Sequence, residues 1–313
     1  MKIFSTLIFG LFIMSSLSLT SCGDDDNDQP KTIVDTAIET DNLSILVEAL
    51  TKANLVSTLQ GDGPFTVFAP TNDAFQALLD SNPDWDSLDD IDNATLTEVL
   101  KFHVISGNVM ASDLTDTYVT SLASGPNSKP ISIQIDVTGG VKFNGSAAPV
   151  TTDISTSNGI VHIINEVMLP PSVVNIALNN SNFTSLVAAL TRSDLTTDFV
   201  SILSGEGPFT IFAPTNEAFQ VLLDSNSDWD SLNDIPVATL EAVLTYHVIA
   251  GANVQAAELT DNQSVEALGG SLVVDLSSGA KLETTSNQSV NIIITDVQGS
   301  NGVVHAVDTV LLP

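Results

Sequence analysis

Four histidines are the side chains of this chain best suited to metal binding or proton transfer. They fall at two repeated positions, His103 with His247 and His162 with His305. A metal site would pair His103 with His162 and a nearby carboxylate. Apolar residues flank both positions, however, and no cysteine or His-x-x-x-His spacing supports zinc. We therefore predict buried histidines whose ring nitrogens bind backbone groups, and no metal or other cofactor.

Residues 84–92 form an acidic loop whose carboxylates are potential calcium ligands: Asp84, Asp86, Asp89, Asp90 and Asp92. The loop lacks the glycine at position six and the distal glutamate of an EF-hand. Its second copy also has Asn233 and Pro236 in place of two of the aspartates. These differences favour a solvated loop whose aspartates cap helices over a calcium site.

The arrangements that nucleophilic or phosphate chemistry needs are missing from the sequence. Gly61-Asp62-Gly63 begins like a phosphate loop, but it has no third glycine and precedes a strand instead of following one. The sequence also contains no Gly-x-Ser-x-Gly elbow. We therefore predict that the protein is not an enzyme.

The histidines belong to a longer duplicated pattern centred on a strand, a corner and a helix. The run Gly63–Phe75 returns as Gly207–Phe219. β-Branched and aromatic residues after the first Gly-Pro predict a short buried strand. Pro70 ends that strand because it has no N–H to donate, and Thr71 is a suitable N-cap for the helix that follows. The motif residues are Thr66, Pro70, Thr71 and Asn72, with Thr210, Pro214, Thr215 and Asn216 in the second copy.

Two further segments repeat in the same order, which indicates two tandem domains. Phe102–Ile105 matches Tyr246–Ile249, and Asn158–His162 matches Asn301–His305. Each copy ends in a Leu-Pro pair, so we place a first domain at residues 32–170 and a second at residues 171–313. A period this long exceeds the roughly 20–50 residues of solenoid repeats.

Helical patterns come first in each copy and strand patterns later, which predicts the α+β class. Apolar residues at helical spacing form a core-facing stripe that includes Ile33, Val34, Ala37 and Ile38. Further on, isoleucines at 131, 133 and 135 alternate with polar residues, as in a half-buried strand. Asn158-Gly159 predicts a tight turn because both residues tolerate positive φ.

These motifs together resemble the fasciclin (FAS1) domain family. The resemblance rests on Gly-Pro-Phe-Thr-Val-Phe-Ala-Pro-Thr-Asn, on Phe/Tyr-His-Val-Ile and on the closing Asn-Gly-Ile/Val-Val-His, each present twice. It implies a compact domain in which a twisted β-sandwich or wedge carries several helices. It also implies extracellular adhesion or ligand binding without catalysis, and a structural role for the repeated motif residues and histidines.

Residues 1–21 are predicted to be a lipoprotein signal peptide, with a basic start and a mostly apolar run interrupted by serines. Leu19-Thr20-Ser21-Cys22 resembles a bacterial lipobox, so we expect Cys22 to carry the lipid; a free thiol is the alternative. Residues 22–31 then form an acidic tether, either a plain disordered spacer or a signal for the cell surface. We expect lipid anchoring at the bacterial outer membrane, facing outward.

The net charge of −30 makes nucleic-acid binding improbable, because such a surface repels phosphates. The favoured hypothesis is a surface-anchored adhesion protein that binds an extracellular protein or polysaccharide through paired domains. The alternative is a glycan-binding accessory protein, although few aromatic side chains are available as sugar platforms. Trp85 and Trp229, each between two aspartates, are the candidate ligand contacts; the opposing hypothesis is that they pack the domain edge.

Overall fold

The computed structural model describes residues 31–313. The predicted leader, Cys22 and most of the acidic tether lie outside the described residues. Among the residues that are described, no helix is long and apolar enough to cross a membrane.

The described residues of the first domain form five α-helices, four short 3₁₀ helices and seven strands. The helices are α1 (Ile33–Ile38), α2 (Ser44–Lys52), α3 (Val56–Leu59), α4 (Asn72–Asp80) and α5 (Asn93–Phe102). The strands are β1 (Phe65–Pro70), β2 (Val104–Ser106), β3 (Thr117–Ser124), β4 (Pro130–Asp136), β5 (Lys142–Phe143), β6 (Pro149–Thr156) and β7 (Gly159–Ile164).

The second domain repeats this order. Its helices are α6 (Val173–Asn179), α7 (Thr184–Leu190), α8 (Phe199–Leu203), α9 (Asn216–Asp224) and α10 (Val237–Tyr246). Its strands are β8 (Phe209–Pro214), β9 (Val248–Ala250), β10 (Ser264–Ala267), β11 (Gly270–Asp275), β12 (Lys281–Glu283), β13 (Ser289–Gln298) and β14 (Gly302–Val307). The predicted α+β class, with helices before most strands, is confirmed.

The duplicated corner forms as its sequence predicts. β1 is a buried strand that pairs in parallel with β7, up to a final pair of Pro70 with Ile164. The Thr71 hydroxyl then accepts a hydrogen bond from the Ala74 N–H, which caps α4. β8, Thr215 and α9 repeat the arrangement in the second domain.

The seven strands of each domain follow one cyclic order that is open at a different seam. In the first domain the sheet runs β5-β4-β3-β2-β1-β7-β6, so the open edges are β5 and β6. In the second it runs β10-β11-β12-β13-β14-β8-β9, so the open edges are β10 and β9. Joined end to end, both orders give the same ring, and the sheet therefore curls into the sandwich-like wedge that the family resemblance implies.

Alternation along the central strands divides each domain into two cores. Val67 and Ala69 of β1 join the helix-side core with α1, α2 and α4, whereas Phe68 points into the strand-enclosed core. Ile211, Ala213 and Phe212 of β8 make the same division in the second domain. The packing explains why the central run is almost entirely buried, because each of its faces covers a separate core.

One local prediction is wrong, and a second is confirmed only in part. Ile38, assigned to the core-facing stripe, is 60% exposed because α1 ends there and its buried face is carried by Ile33, Val34 and Ala37. The predicted tight turn forms one residue earlier, at Ser157-Asn158, but without the predicted positive φ, and Gly159 already pairs with Thr156 in the β6–β7 ladder. Glycine is required at 159 because a Cβ there would lie 2.0 Å from the Phe65 carbonyl oxygen.

Candidate functional site

The repeated motif residues bind their own domain's backbone. The Thr66 hydroxyl donates to the Gly107 carbonyl at 2.7 Å and accepts from the Val109 N–H at 2.9 Å. Asn72 accepts from the Ile45 N–H and donates to the Asp41 carbonyl. Thr210 and Asn216 make the corresponding bonds in the second domain. These side chains therefore fasten loops and helix starts to the central strand.

Asn158 and Asn301 have the same fastening role, which the turn prediction missed. The Asn301 side chain accepts from the Val173 N–H at 2.9 Å and donates to the carbonyls of Leu203 and Gly205 at 2.8 and 2.7 Å. Asn158 bonds equivalently to Ile33, Leu59 and Gly61. One amide thus joins the first helix, the third helix and the closing hairpin.

Every histidine ring nitrogen has a partner in the protein. The Nδ1 atoms of His103 and His247 lie 2.7 Å from the carbonyls of Val99 and Val243, one turn back on α5 and α10. Their Nε2 atoms accept from the N–H groups of Met168 and Leu311 in the closing segments. A ring that accepts at Nε2 and faces a carbonyl at Nδ1 is neutral with its proton on Nδ1.

His162 and His305 occupy the strand-enclosed cores, where they stack on Phe68 and Phe212. Their Nε2 atoms lie 2.9 Å from the carbonyls of Val109 and Val254. The N–H groups of the same two valines donate to the hydroxyls of Thr66 and Thr210. Their Nδ1 atoms accept from the N–H groups of Asp153 and Asp296. His103 and His162 therefore bind different backbone groups and are not paired around a shared ligand.

Burial controls the protonation of these rings. Desolvation lowers the pKa of His103 and of His247 to about 4, although the adjacent carbonyl acts in the opposite direction. Burial also lowers the pKa of His305, partly offset by its bond to Val254 and by the Asp296 carboxylate. At neutral pH these three rings are uncharged, so they contribute packing and hydrogen bonds.

Two of the five carboxylates in the acidic loop cap helix starts. Asp92 accepts from the Thr95 N–H and caps α5, while Asp90 accepts from the N–H groups of Asp86 and Ser87. In the second domain the Arg192 guanidinium donates hydrogen bonds to the loop carbonyls of Leu232 and Ile235, at 2.7 and 2.8 Å. Across residues 31–313, no group of three or more His, Cys, Asp or Glu side chains is placed to hold a metal ion.

The two tryptophans of the acidic loops are half-buried. Trp85 packs against the helix-side core of the first domain, and Trp229 packs against that of the second. The aspartates on either side of each ring are exposed. Part of each ring therefore faces solvent and part contacts the core, so their contact with a ligand stays a prediction.

A polar network buried between the domains holds them together. Gln298, at the end of β13, donates from its backbone N–H to the Ser132 hydroxyl on β4 of the first domain at 3.0 Å. Its side chain accepts from Asn253 and Gln255 and donates to the Gly302 carbonyl. This contact covers the polar face of β4, the strand that the alternating isoleucines predicted to be half-buried.

Two contacts at the rim add to this interface. Asn180, which follows α6, donates to the Tyr118 hydroxyl on β3 at 2.7 Å. Lys129 of the first domain forms an ion pair with Glu258 of the second, with 2.9 Å between Nζ and Oε1. Side chains thus join the domains well away from Pro170-Pro171, the joint at which the first domain ends and the second begins.

The same joint forms one wall of an open cleft of about 640 Å³ between the first domain and α6. One wall is α4, another is the turn after β5, and the closing segment 165–171 and α6 complete it. Ala77, Leu78, Met168 and Leu169 give it an apolar floor and flank. The cleft is thus shared between the first domain, the segment that joins the domains and the first helix of the second domain.

The polar groups of the cleft are nearly all uncharged. They are the amides of Asn144, Asn165, Asn175 and Asn179 and the hydroxyls of Ser81 and Ser146, with Glu166 as the one carboxylate. Asn144 Nδ2 is buried and has no hydrogen-bond partner in the described residues. On a chain of net charge −30, this surface suits a neutral ligand that presents hydrogen-bond acceptors, such as backbone carbonyls or hydroxyls.

Comparison with known proteins decides the family. A family model described as "Fasciclin domain" matches residues 41–170 and again residues 181–313. The chain belongs to the fasciclin domain family. The two matched segments agree with the two copies of the corner, the histidines and the closing hairpin described above.

Fasciclin relatives occur in bacteria and animals. Protein sll1483 of Synechocystis sp. is 38% identical over 144 residues, which cover 46% of this chain and 76% of that protein. Transforming growth factor-beta-induced protein ig-h3 of Sus scrofa is 31% identical over 260 residues, covering 82% of this chain and 35% of that protein. Human periostin is 29% identical over 272 residues, covering 83% of this chain and 30% of that protein.

A solved structure supports the tandem arrangement. It is a FAS1 domain pair from the insect cell adhesion molecule Fasciclin I, which covers 87% of this chain and 97% of that chain with a TM-score of 0.50. At 17% sequence identity this likeness shows the fold, two tandem fasciclin domains. Fasciclin domains are generally adhesion or ligand-binding modules and are typically non-catalytic.

Sequence reasoning missed the residues that join the two fasciclin domains. The signal lies where the repeat is broken: Gln298 stands in the position of exposed Ser155, and Gln255 in the position of Met110. Both glutamines are buried and their side chains bond to each other, while the Gln298 N–H donates to Ser132 of the first domain. The difference between the copies, more than their likeness, therefore locates the interface.

Proposed function

We propose that the protein is a non-catalytic adhesion or ligand-binding lipoprotein, anchored at the bacterial outer membrane and facing outward. Its two fasciclin domains together form one surface that binds an extracellular protein or polysaccharide. Tandem fasciclin domains in a named cell adhesion molecule support the class of function. The observation that carries the proposal for this chain is the neutral, amide-lined cleft between the two domains.

The cleft offers a ligand both kinds of contact. Its apolar floor at Leu78 and Met168 buries carbon surface, and the amides of Asn175 and Asn179 supply hydrogen bonds. Repulsion from the acidic surface selects against anionic ligands. An extended peptide segment or an uncharged sugar chain satisfies both conditions.

The ligand is identified with a panel of extracellular matrix proteins and a glycan array, each run with and without Ca²⁺. Ala77 is an exposed residue of the cleft wall. We expect Ala77→Arg to lower the affinity for the best ligand found in these screens by at least about tenfold. The long, charged side chain projects from the wall and covers the surface beside Leu78 that a neutral ligand would contact. Biosensor titration of the full-length chain measures the change.

Val221→Arg is the matched control, because Val221 occupies on α9 the position of Ala77 on α4 and lies outside the cleft. It should bind as the unchanged protein does. If Ala77→Arg also binds normally while Trp85→Ala or Trp229→Ala does not, the acidic loops, not the cleft, hold the ligand. Binding that survives all four changes contradicts both sites.

The anchor is tested separately at Cys22. Changing Cys22 to Ser removes the thiol that would carry the lipid, so we expect the protein to leave the membrane fraction or to retain its leader. Each buried methylene contributes about 0.8 kcal/mol to membrane association, so loss of acyl chains is a large effect. Fractionation and intact mass measure it, and normal cleavage with unchanged membrane partition would rule out lipid anchoring.

A further inference from the structure

The helix-side core of the second domain contains an apolar cavity of about 190 Å³. Its walls come from α6, α7 and α8, and its floor comes from Ile211, Ala213 and Val304 of the central strands. Apart from Thr191 at its edge, every lining residue is alanine, valine, leucine or isoleucine. The lining therefore offers no charge and almost no hydrogen-bonding group to an occupant.

The corresponding space in the first domain is nearly filled. It measures about 10 Å³ and is lined by the repeat counterparts of many of the same residues. Ile33 stands there in the place of the smaller Val173. Val34 and Leu50 are 1% and 3% exposed, whereas their counterparts Val174 and Leu190 are half-buried. The cavity is thus a property of one copy, and it opens outward between the helices.

A longer connection explains why only the second copy opens. α2 and α3 are joined by residues 53–55, whereas α7 ends earlier and reaches α8 through residues 191–198. Glu241 on α10 accepts hydrogen bonds from the N–H groups of Thr196 and Thr197 and holds this connection. With more chain between its helices, the second domain does not draw α8 against α7 as tightly.

We propose that the second domain binds a compact, uncharged, apolar molecule in this cavity, about the size of one aromatic ring. An apolar cavity of about 150 Å³ lined by similar side chains stays dry and binds benzene. The absence of polar lining disfavours any ligand that must bury a polar group. The net charge of −30 further disfavours an anionic amphiphile such as a fatty acid.

The rim of the cavity gives such a molecule a path. Leu178, at the end of α6, lines the cavity and is 54% exposed. Val200 on α8 lines it too and is half-buried. An unfilled apolar cavity leaves its lining without contact partners, so a ligand that restores these contacts stabilises the folded domain.

Fluorobenzene is the probe, followed by ¹⁹F NMR line broadening with the full-length chain. We expect saturable binding to the unchanged protein and a rise in the thermal midpoint of the second domain with probe concentration. Val200→Phe, which places a ring in the mouth, should abolish binding. Val56→Phe, the same change at the matching half-buried position of the first domain, should leave binding unchanged.

Ala177→Leu closes the cavity from inside and should also abolish binding, and far-UV circular dichroism with thermal unfolding checks that each variant is folded. Benzoate, which has a similar ring but a charge, should not compete. The proposal is overturned if fluorobenzene does not bind the unchanged protein. It is equally overturned if binding survives both cavity substitutions, if Val56→Phe removes it, or if benzoate competes.

Discussion

Lowering the pH from about 6.5 to about 4 is expected to reduce the free energy of unfolding by roughly 3 kcal/mol for each of His103 and His247. Their pKa is lowered from 6.5 to about 4 by burial in the folded state. Between these values the unfolded chain binds a proton that the folded chain does not. The stabilisation is thus complete above pH 6.5, is lost as the pH falls, and levels off below about 4.

The ring resonances of the two histidines measure this directly. In ¹H–¹³C spectra both should remain neutral down to about pH 4.5. Urea unfolding at several pH values gives the free energy of unfolding as a function of pH. This free energy should change less steeply with pH after His103→Gln or His247→Gln, since the substituted domain no longer has a titrating group there. Comparison with the unchanged chain removes the contribution of the 38 carboxyl groups, which both proteins share. Histidine ring titrations with midpoints near pH 6.5 would contradict the burial argument.

Asn301→Ala is expected to destabilise the second domain by about 3 kcal/mol, because it leaves three backbone groups without their partner. These are the Val173 N–H and the carbonyls of Leu203 and Gly205. Asn301 is 7% exposed, so water does not readily replace the amide. Asn301→Asp should be at least as damaging, since it sets a carboxylate oxygen against two carbonyls.

The repeat supplies the comparison. Asn158→Ala removes the same three bonds from the first domain, but Asn158 is only half-buried, so we expect a smaller loss of about 2 kcal/mol. Each domain has one tryptophan, so the unfolding of the first domain is followed in a Trp229→Phe background and that of the second in a Trp85→Phe background. Asn93→Ala, at an exposed position without a side-chain bond, should change stability by less than about 0.5 kcal/mol. An equally small effect of Asn301→Ala would refute the fastening role.

Features set by neighbouring residues could be predicted from the sequence, whereas contacts between distant segments could not. Strand, corner and helix followed from β-propensity, Pro70 and the Thr71 cap, which act within a few residues. Asn158 was misjudged because its side-chain partners lie roughly a hundred positions away in the chain, on α1 and after α3. Local turn chemistry cannot reveal contacts that only the closed sheet creates.

The candidate site was harder to predict for the same reason. The tryptophan loops were chosen because their chemistry is visible in one short segment. The cleft combines α4, the turn after β5, the closing segment and α6, whose residues show no common pattern until both domains are in place. Ile38 illustrates the opposite error, since an apolar residue at helical spacing was assigned to a face that the short α1 does not bury.

The different seams of the two sheets give each domain its own labile backbone. Strands at an open edge exchange amide hydrogens first and are where a foreign strand can be added. β5 and β6 have this position in the first domain, whereas in the second the seam lies between β9 and β10, where the Leu268 N–H after β10 donates to the Val248 carbonyl of β9. The two domains therefore share the same core but have their open sheet edges at different strands. A mechanical or chaperone-driven opening would begin at non-equivalent strands, so the two copies need not unravel in the same order.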